Sequence, residues 1–471
     1  MTPPAADVRI GVVVSADHTE GAALTPDGDL LAMARGTAEG GVDIRVGEVL
    51  TSLLGDGAVD PDAVAALIFA GSPTTAALEN TDELLPVAVV RIASPARSAM
   101  PPLTGWPERL RAACSAGTTI VSGGRDVGGA TLATLDDAAL RRFFGGQRGV
   151  AEAIAIIGTF SAVTTADEEA AAAIATATLP GLPVVLSHEI GMLRLLEREN
   201  ATVLNAALAG AGSSVVAALD ASLARQGIEA PIYFVRNDGT LLPRERAARS
   251  PLLVAAGGTA ARLLGAATLA GVEEALVCVV DAESGTLGSV YGGRPVEAGG
   301  RHRIAEVPAS VSYPATIELG SSVGQRGRWE RCLEGAIARL QDTVRPMPLV
   351  AVGEGANTIP AELDRVERVL RPEAGSVAAA VGAALAPIGI TVERVLPRSG
   401  ASSERREEIS AQAVSLVVQS GADAARTRVV ELQEVPMPYL PNTAVCVRAR
   451  AEGPLQPPAR SDRSTAARQA S

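Results

Sequence analysis

Ser187, His188 and Glu189 form the polar cluster whose residue types and position best suit chemistry. They follow the apolar run at 184–186, and His188 is one of three histidines in the 471-residue chain. An amphipathic run up to Leu208 comes next, so the pattern predicts a strand, a polar turn and a helix. Ligands of open α/β sheets bind beyond the carboxyl ends of strands. His188 and Glu189 are therefore candidate catalytic residues, although the cluster could instead only cap the following helix.

This stretch resembles the hydantoinase A / 5-oxoprolinase family. The resemblance rests on LSHEIG, LLEREN and LNAAL, and continues through PIYFVRNDGTLL at 231–242, the segment 252–291 and VPMPYLPNTAVCVRA near the C-terminus. It covers roughly residues 8 to 450. It implies an α/β fold of the actin/hexokinase/Hsp70 ATPase type, with two lobes around a cleft and a small C-terminal α+β region. The alternation of predicted strands and helices agrees with this fold class.

The same resemblance divides the chain. It implies an N-terminal hydantoinase/oxoprolinase domain at 1–180, a central hydantoinase A domain at 181–390 and a small C-terminal domain at 391–452. The tail at 453–471 is rich in Pro, Ser and Arg, a composition that predicts disorder.

The implied activity is ATP-dependent opening of a cyclic amide such as hydantoin, 5-oxoproline or a lactam, with Mg-bound ATP as cofactor. His188 and Glu189 would then lie on the substrate side. Asn237 and Asp238 match the family segment and are candidate substrate-binding residues. Asn-Asp-Gly is also an ordinary turn sequence, so both interpretations of this pair stay open.

The family's first phosphate loop, D-x-G-G-T-x-T-D, corresponds to residues 13–20 of this chain. Its glycines let backbone N–H groups approach phosphate. Here the first Asp is Val13 and both glycines are replaced, while Asp17 brings negative charge to the phosphate position. Thr19 keeps the tail of the pattern and is a candidate cofactor-binding residue. The alternative is a solvated hairpin turn without nucleotide.

The second phosphate loop corresponds to residues 281–288. Asp281 survives as the candidate residue for metal-bound ATP, and Thr286 survives as a cofactor-binding candidate. Both glycines and the final Asp are lost, and Glu283 places a carboxylate where a backbone N–H should meet phosphate. Two losses of the same kind predict impaired ATP use.

A loop that resembles the family's adenosine-side V-G-G-G segment follows the predicted strand at 348–352. Gly353, Gly355 and Asn357 are the remaining cofactor-binding candidates, and Glu354 replaces the middle glycine. The resemblance thus implies a ring-opening hydrolase, and the changes in the phosphate loops predict that its use of ATP is impaired. The alternative is an inactive family member that acts as a structural or regulatory subunit of a hydantoinase-type complex.

The composition of the chain indicates which classes of binding partner are unlikely. The net charge is −12, Lys is absent and the Arg residues are dispersed, which argues against nucleic acid. No signal peptide or transmembrane run is expected, and four scattered cysteines predict reduced, mostly buried thiols in the cytoplasm. The resemblance implies a hydantoinase B-type subunit or self-association as the protein partner.

Overall fold

The computed structural model describes residues 7–71, 73–93, 100–126, 130–161, 164–191, 194–281, 284–298, 302–320, 327–341, 345–397, 402–437 and 444–456. The predicted tail lies almost entirely outside these residues, and so does Glu283.

The strands alternate with helices along most of the chain. The strands are β1 Val8–Val14, β2 Thr19–Leu24, β3 Leu30–Gly36, β4 Val64–Gly71, β5 Val87–Ile92, β6 Ser115–Val121, β7 Ala153–Gly158, β8 Val184–Leu186, β9 Ile232–Val235, β10 Leu241–Pro243, β11 Ala275–Val280, β12 Gly285–Tyr291, β13 Arg294–Pro295, β14 His302–Ile304, β15 Val307–Ala309, β16 Thr316–Glu318, β17 Met347–Val352, β18 Val366–Leu370, β19 Ile388–Pro397, β20 Arg428–Met437 and β21 Ala444–Gly453. The α-helices are α1 Val42–Leu54, α2 Pro73–Glu79, α3 Glu108–Cys114, α4 Asp137–Gly146, α5 Ala166–Thr178, α6 Ser187–Ile190, α7 Leu195–Ala207, α8 Ala209–Arg225, α9 Arg244–Arg249, α10 Gly257–Leu269, α11 Arg328–Leu340, α12 Ala378–Leu385 and α13 Ser402–Gln419.

Two sheets define the two lobes. The first lobe contains a nine-stranded sheet in the order β20-β21-β19-β10-β9-β4-β1-β2-β3. The second lobe contains a six-stranded sheet, in which β13-β12-β11-β17-β18 follow one another and β16 pairs with β12. In both sheets an antiparallel hairpin, β1–β2 or β11–β12, lies beside a parallel strand, β4 or β17. This repeated arrangement confirms the predicted α/β fold with two lobes.

The C-terminal α+β region consists of β19, α13, β20 and β21. Its strands extend the first sheet rather than form a sheet of their own, because β19 pairs with β10 through Ile388 and Leu241. The predicted domain boundaries at 180 and 390 stay predictions.

Helices α10 and α12 cross at very short range between the two lobes. A Cβ atom added at Gly265 would lie 1.8 Å from the carbonyl oxygen of Ala378, and one added at Gly382 would lie 1.9 Å from that of Ala261. Helix α12 has the sequence AAAVGAAL, whose small side chains suit such close packing. Only glycine permits this backbone approach.

A third sheet positions the polar cluster at 187–189. It is parallel throughout, in the order β6-β5-β7-β8, and its core is aliphatic. Strand β8 ends at Leu186, and the predicted polar turn is in fact the four-residue helix α6. Helix α7 then begins at Leu195.

Among the described residues, one unbroken helical segment, Pro251–Leu269, has the length and composition of a membrane span. Most of it, 61%, is buried inside the protein, as expected for a core helix. Three of the four cysteines are buried and all four are free thiols, in agreement with the sequence prediction.

Candidate functional site

His188 and Glu168 form a hydrogen-bonded pair at the carboxyl end of the parallel sheet. Nδ1 of His188 lies 2.6 Å from Oε2 of Glu168, a residue in the first turn of α5. The Glu168 side chain is 1% exposed, whereas that of His188 is 20% exposed. A carboxylate only accepts hydrogen bonds, so Nδ1 carries the proton. In the neutral imidazole, Nε2 of His188 is then the ring nitrogen that can accept a proton.

Buried hydrogen bonds keep Glu168 ionised. Burial alone would raise the pKa of the Glu168 carboxyl, but hydrogen bonds from His188, Ser187 and the backbone of Gly158 lower it below its ordinary value. Ser187 Oγ donates to Oε1 at 2.5 Å, and the N–H of Gly158 donates to the same oxygen at 2.6 Å. These donors also fix the direction of the carboxylate.

Arg198 of α7 supports the same group from behind. Its Nε donates to Ser187 Oγ at 3.0 Å and its Nη2 donates to the carbonyl of Gly158 at 2.6 Å. Ser187 is therefore held between Arg198 and Glu168. The capping alternative is wrong, because neither α6 nor α7 has a side-chain cap at its N-terminus. Ser187 is structural in another way, through Glu168 and Arg198, while His188 lies beside a cavity.

That cavity, called the polar cavity below, has a volume of about 350 Å³. It brings together four residues predicted from the sequence, His188, Glu189, Asn237 and Asp238. The other charged residues in its wall come from loops and from the C-terminal strands: Arg194, Arg236, Glu297, Glu393 and Arg448. The volume and polar lining suit a small polar molecule.

Asn237 and Asp238 also stabilise the local turn through hydrogen bonds, as the alternative interpretation of this pair predicted. Asn237 Nδ2 donates to the carbonyl of Leu252 at 2.9 Å, and its Oδ1 accepts from the N–H of Ala256 at 2.7 Å. Oδ1 of Asp238 accepts from Thr240 Oγ1 at 2.6 Å. Both residues therefore shape the cavity wall through buried hydrogen bonds.

A second candidate site lies between the lobes, where residues of the two predicted phosphate loops approach each other. Arg262 of α10 bridges them, with Nη2 at 3.0 Å from Oε1 of Glu20 and Nη1 at 3.5 Å from Oδ2 of Asp281. His18 lies between two acids, 2.7 Å from Asp17 and 2.8 Å from Glu20. We call Asp17, His18, Glu20, Arg262 and Asp281 the interlobe network.

The charges of this network are coupled. The hydrogen bond to Glu20 raises the pKa of His18 above its ordinary value, with a further contribution from Asp17. Burial would raise the pKa of Glu20, but His18 and Arg262 lower it. Burial raises the pKa of Asp281, and Arg262 opposes that rise.

The other cofactor-binding candidates are used within the fold. Thr19 is fully buried, and its Oγ1 accepts from Arg45 Nε at 3.0 Å. Thr286 Oγ1 donates to Glu318 at 3.1 Å across the β12–β16 pair. Neither hydroxyl belongs to the interlobe network.

The adenosine-side loop packs against the end of β11. Gly353 has φ +93°, and a Cβ atom there would lie 2.4 Å from the carbonyl oxygen of Val280. The N–H of Gly355 donates to that same carbonyl at 2.9 Å, whereas Asn357 is exposed. The glycines therefore serve a close backbone approach and place the loop next to Asp281.

These residues do not fit a Mg-bound triphosphate. Three acids, Asp17, Glu20 and Asp281, lie at the two predicted phosphate loops. Arg262 already forms ion pairs with Glu20 and Asp281. A triphosphate would add like charge beside the acids. Within the described ranges, no group of three or more His, Cys, Asp or Glu side chains has metal-binding geometry.

Sequence reasoning missed Glu168 and Arg262. Glu168 is 20 residues before its partner His188, and its acidic neighbours are equally explained by a favourable helix dipole. Arg262 lies within the apolar helix α10. A charged residue inside such a helix is the signal that could have identified it as a candidate.

The fold is of the actin/hexokinase/Hsp70 type, with two lobes and an antiparallel hairpin in the sheet of each lobe. The sequence profile of the hydantoinase/oxoprolinase family matches residues 198–282, which confirms the predicted family resemblance. No curated protein sequence matches the chain.

Two solved structures share the overall fold. One is the nucleotide-free structure of an acetone carboxylase from work on ATP-dependent acetone carboxylation, with 12% identity and a TM-score of 0.67, over 96% of this chain and 89% of that chain. The other is the ATP-dependent caprolactamase of Pseudomonas jessenii, with 14% identity and a TM-score of 0.73, over 96% of this chain and 88% of that chain.

Proposed function

We propose that the polar cavity binds a small cyclic amide, such as hydantoin, 5-oxoproline or a lactam, and that the protein opens its ring by hydrolysis with impaired use of ATP. The observation that carries this proposal is the His188–Glu168 pair at 2.6 Å, in which His188 lines the cavity and Glu168 is buried behind it. A histidine whose Nδ1 is held by a buried carboxylate has Nε2 available as a general base.

The reaction adds water across the ring C–N bond. Nε2 of His188 takes a proton from water while the water oxygen bonds to the ring carbonyl carbon. The C–N bond then breaks, and the leaving nitrogen receives the proton from His188. Glu168 stays ionised throughout and stabilises the charged imidazole, as the buried acid does in a catalytic triad.

The proposal of impaired ATP use rests on the interlobe network. Asp281, the residue that the family resemblance assigns to metal-bound ATP, is held by Arg262 at 3.5 Å. Glu20 and Asp17 bring further negative charge to the first loop. The caprolactamase is named as ATP-dependent. In this chain nucleotide binding would have to break the Arg262 bridge.

The direct experiment incubates the purified protein with hydantoin, 5-oxoproline and 2-pyrrolidinone, each with and without Mg-ATP, and measures ring-opened product by mass spectrometry. We expect product from one ring class at a rate that ATP changes less than twofold. H188N should lose activity by about 100-fold or more. The exposed variant R111Q, at a surface ion pair, is the matched control. Loss of less than tenfold in H188N would overturn the assignment of the base.

A second candidate function follows from the same interlobe network. A chain whose phosphate loops are engaged by its own charges could serve as a structural or regulatory subunit of a hydantoinase-type complex. A hydantoinase B-type subunit or a second copy of the chain would be the partner. A folded protein that opens none of the rings with or without Mg-ATP, and that assembles with such a partner in light scattering, would favour this candidate.

A further inference from the structure

Arg194 is an exposed arginine that lines the polar cavity. It forms no ion pair or side-chain hydrogen bond with any residue that the structure describes. The two other arginines of the wall each lie near an acid, since Arg236 Nη1 is 3.5 Å from Oδ2 of Asp238 and Arg448 Nη2 is 3.8 Å from Oε2 of Glu297. Arg194 therefore brings a positive charge to the cavity that the described chain does not neutralise.

The backbone of Arg194 has a left-handed conformation, with φ 66° and ψ 88°. Residues other than glycine rarely adopt it, because Cβ comes too close to the following carbonyl oxygen. Of the five described non-glycine residues with positive φ, Arg194 is the one that lines the polar cavity. A glycine would adopt this conformation without strain, so an arginine here is a strained residue at a candidate site, where strain is most often linked to function.

The contacts of helix α7 fix the position of Arg194 relative to His188. The carbonyl of Arg194 accepts a hydrogen bond from the N–H of Arg198 at 3.0 Å. Arg198 donates to Ser187 Oγ, and Ser187 Oγ donates to Glu168, the partner of His188. The start of α7 and the His188–Glu168 pair thus belong to one hydrogen-bond network. A site held in this way keeps its side chains at a fixed separation.

The proposed reaction needs a positive group at the ring carbonyl. When water bonds to the carbonyl carbon, the π electrons of the C=O bond move to the oxygen, which becomes negatively charged. Donors aimed at such an oxyanion are usually the largest single contribution to acyl-transfer catalysis. The proton that His188 gains in this step is needed by the leaving nitrogen. The acids of the cavity wall, Glu189, Asp238, Glu297 and Glu393, would oppose the new negative charge.

We infer that Arg194 stabilises the oxyanion that forms when water attacks the ring carbonyl. Its guanidinium donates N–H hydrogen bonds to the former carbonyl oxygen in this intermediate. The bonds weaken when the C–N bond breaks and the C=O double bond is restored. Arg194 forms no covalent bond and transfers no proton. The inference rests on the proposed function and adds a second catalytic residue beside His188.

The test compares Arg194 with Arg365, an exposed arginine outside the polar cavity that has the same left-handed backbone, with φ 65°. R194G and R365G remove the same side chain from the same backbone conformation. Steady-state ring opening of the substrate that the wild-type protein accepts measures both variants. We expect R194G to lower kcat about 10- to 100-fold and to change KM less than about threefold, because the interaction forms only in the transition state. R365G should keep the wild-type kcat.

Two further readouts distinguish catalysis from a structural role. Millimolar guanidinium chloride, far below denaturing concentrations, should restore part of the activity of R194G by supplying the missing cation. R194K should keep more activity than R194Q, since it keeps the charge. Because glycine adopts the left-handed conformation without strain, the urea midpoint of R194G should equal or exceed that of the wild-type protein.

The outcomes separate the inference from the proposed function. A wild-type kcat in R194G and R194Q overturns the inference, while the ring-opening function survives. An equal loss of activity in R365G overturns it as well. If R194G unfolds at lower urea than the wild-type protein, R194Q with a wild-type midpoint must still lose kcat, and no loss there overturns the inference. A wild-type protein that opens none of the rings refutes the proposed function and the inference with it.

Discussion

Replacement of Arg262 by Gln should destabilise the protein far more than the same change at Arg35. Both arginines connect the first lobe to the second lobe. Arg262 contacts Glu20 and Asp281, whereas Arg35 contacts Glu354 at 2.8 Å. Both variants replace an arginine by glutamine, so the difference between them reflects the burial and the number of acidic partners of each arginine.

Burial sets the expected magnitudes. The Arg262 and Glu20 side chains are 16% and 4% exposed, against 32% and 57% for Arg35 and Glu354. Removing one partner of a buried pair costs about 3–5 kcal/mol. Glu20 keeps its hydrogen bond from the N–H of Ala379 at 3.1 Å and its contact with His18, so we expect about 3 kcal/mol for R262Q. For R35Q we expect less than about 1 kcal/mol.

Urea unfolding followed by circular dichroism and by tryptophan fluorescence measures both variants. Equal urea midpoints for R262Q and R35Q would refute the claim that the interlobe network is a buried, structural bridge. A midpoint of R262Q at the wild-type value would refute it as well.

Three further perturbations test other parts of the structure. E168Q should lower the free energy of unfolding by about 3 kcal/mol, because an amide cannot accept all the donors that meet the buried carboxylate, and it should cut ring opening by about 100-fold or more; urea midpoints and product formation measure the two effects. The raised pKa of His18 implies a stabilising contribution that is complete below the unfolded pKa of about 6.5 and is lost as pH rises through the folded pKa. The difference in unfolding free energy between wild type and H18Q should therefore shrink from pH 6 to pH 9, and a constant difference would contradict the assigned ion pair. G265A should cost about 3 kcal/mol because its Cβ would lie 1.8 Å from the carbonyl oxygen of Ala378, whereas G335A, with no described atom within 4 Å of its Cβ, should be neutral or stabilising.

The elements around the polar cavity were predictable because their periodicity is strong. The strand before Ser187 and the helices that follow confirm the predicted strand–turn–helix order, except that the turn is the short helix α6. His188 was a candidate because it is one of three histidines in the chain and follows the end of a strand. The close crossing at Gly265 agrees with the small-residue composition of both helices.

The partners of these residues could not be read from the chain. Glu168 meets His188 across two elements, and Arg450 meets Asp238 across 212 positions. Such contacts depend on which strands become neighbours in the sheet, a property that local pattern does not encode. The roles of Thr19 and Thr286 as cofactor ligands stay predictions, since each hydroxyl has a partner within the fold.

The most direct test of the account is a calorimetric titration of the wild-type protein with Mg-ATP and with a non-hydrolysable analogue. We expect no binding tighter than about 1 mM, because the interlobe network places acids at both predicted phosphate loops and Arg262 already contacts two of these acids. Binding at micromolar affinity, worth about 8 kcal/mol, would contradict it and would show that the network opens to admit nucleotide.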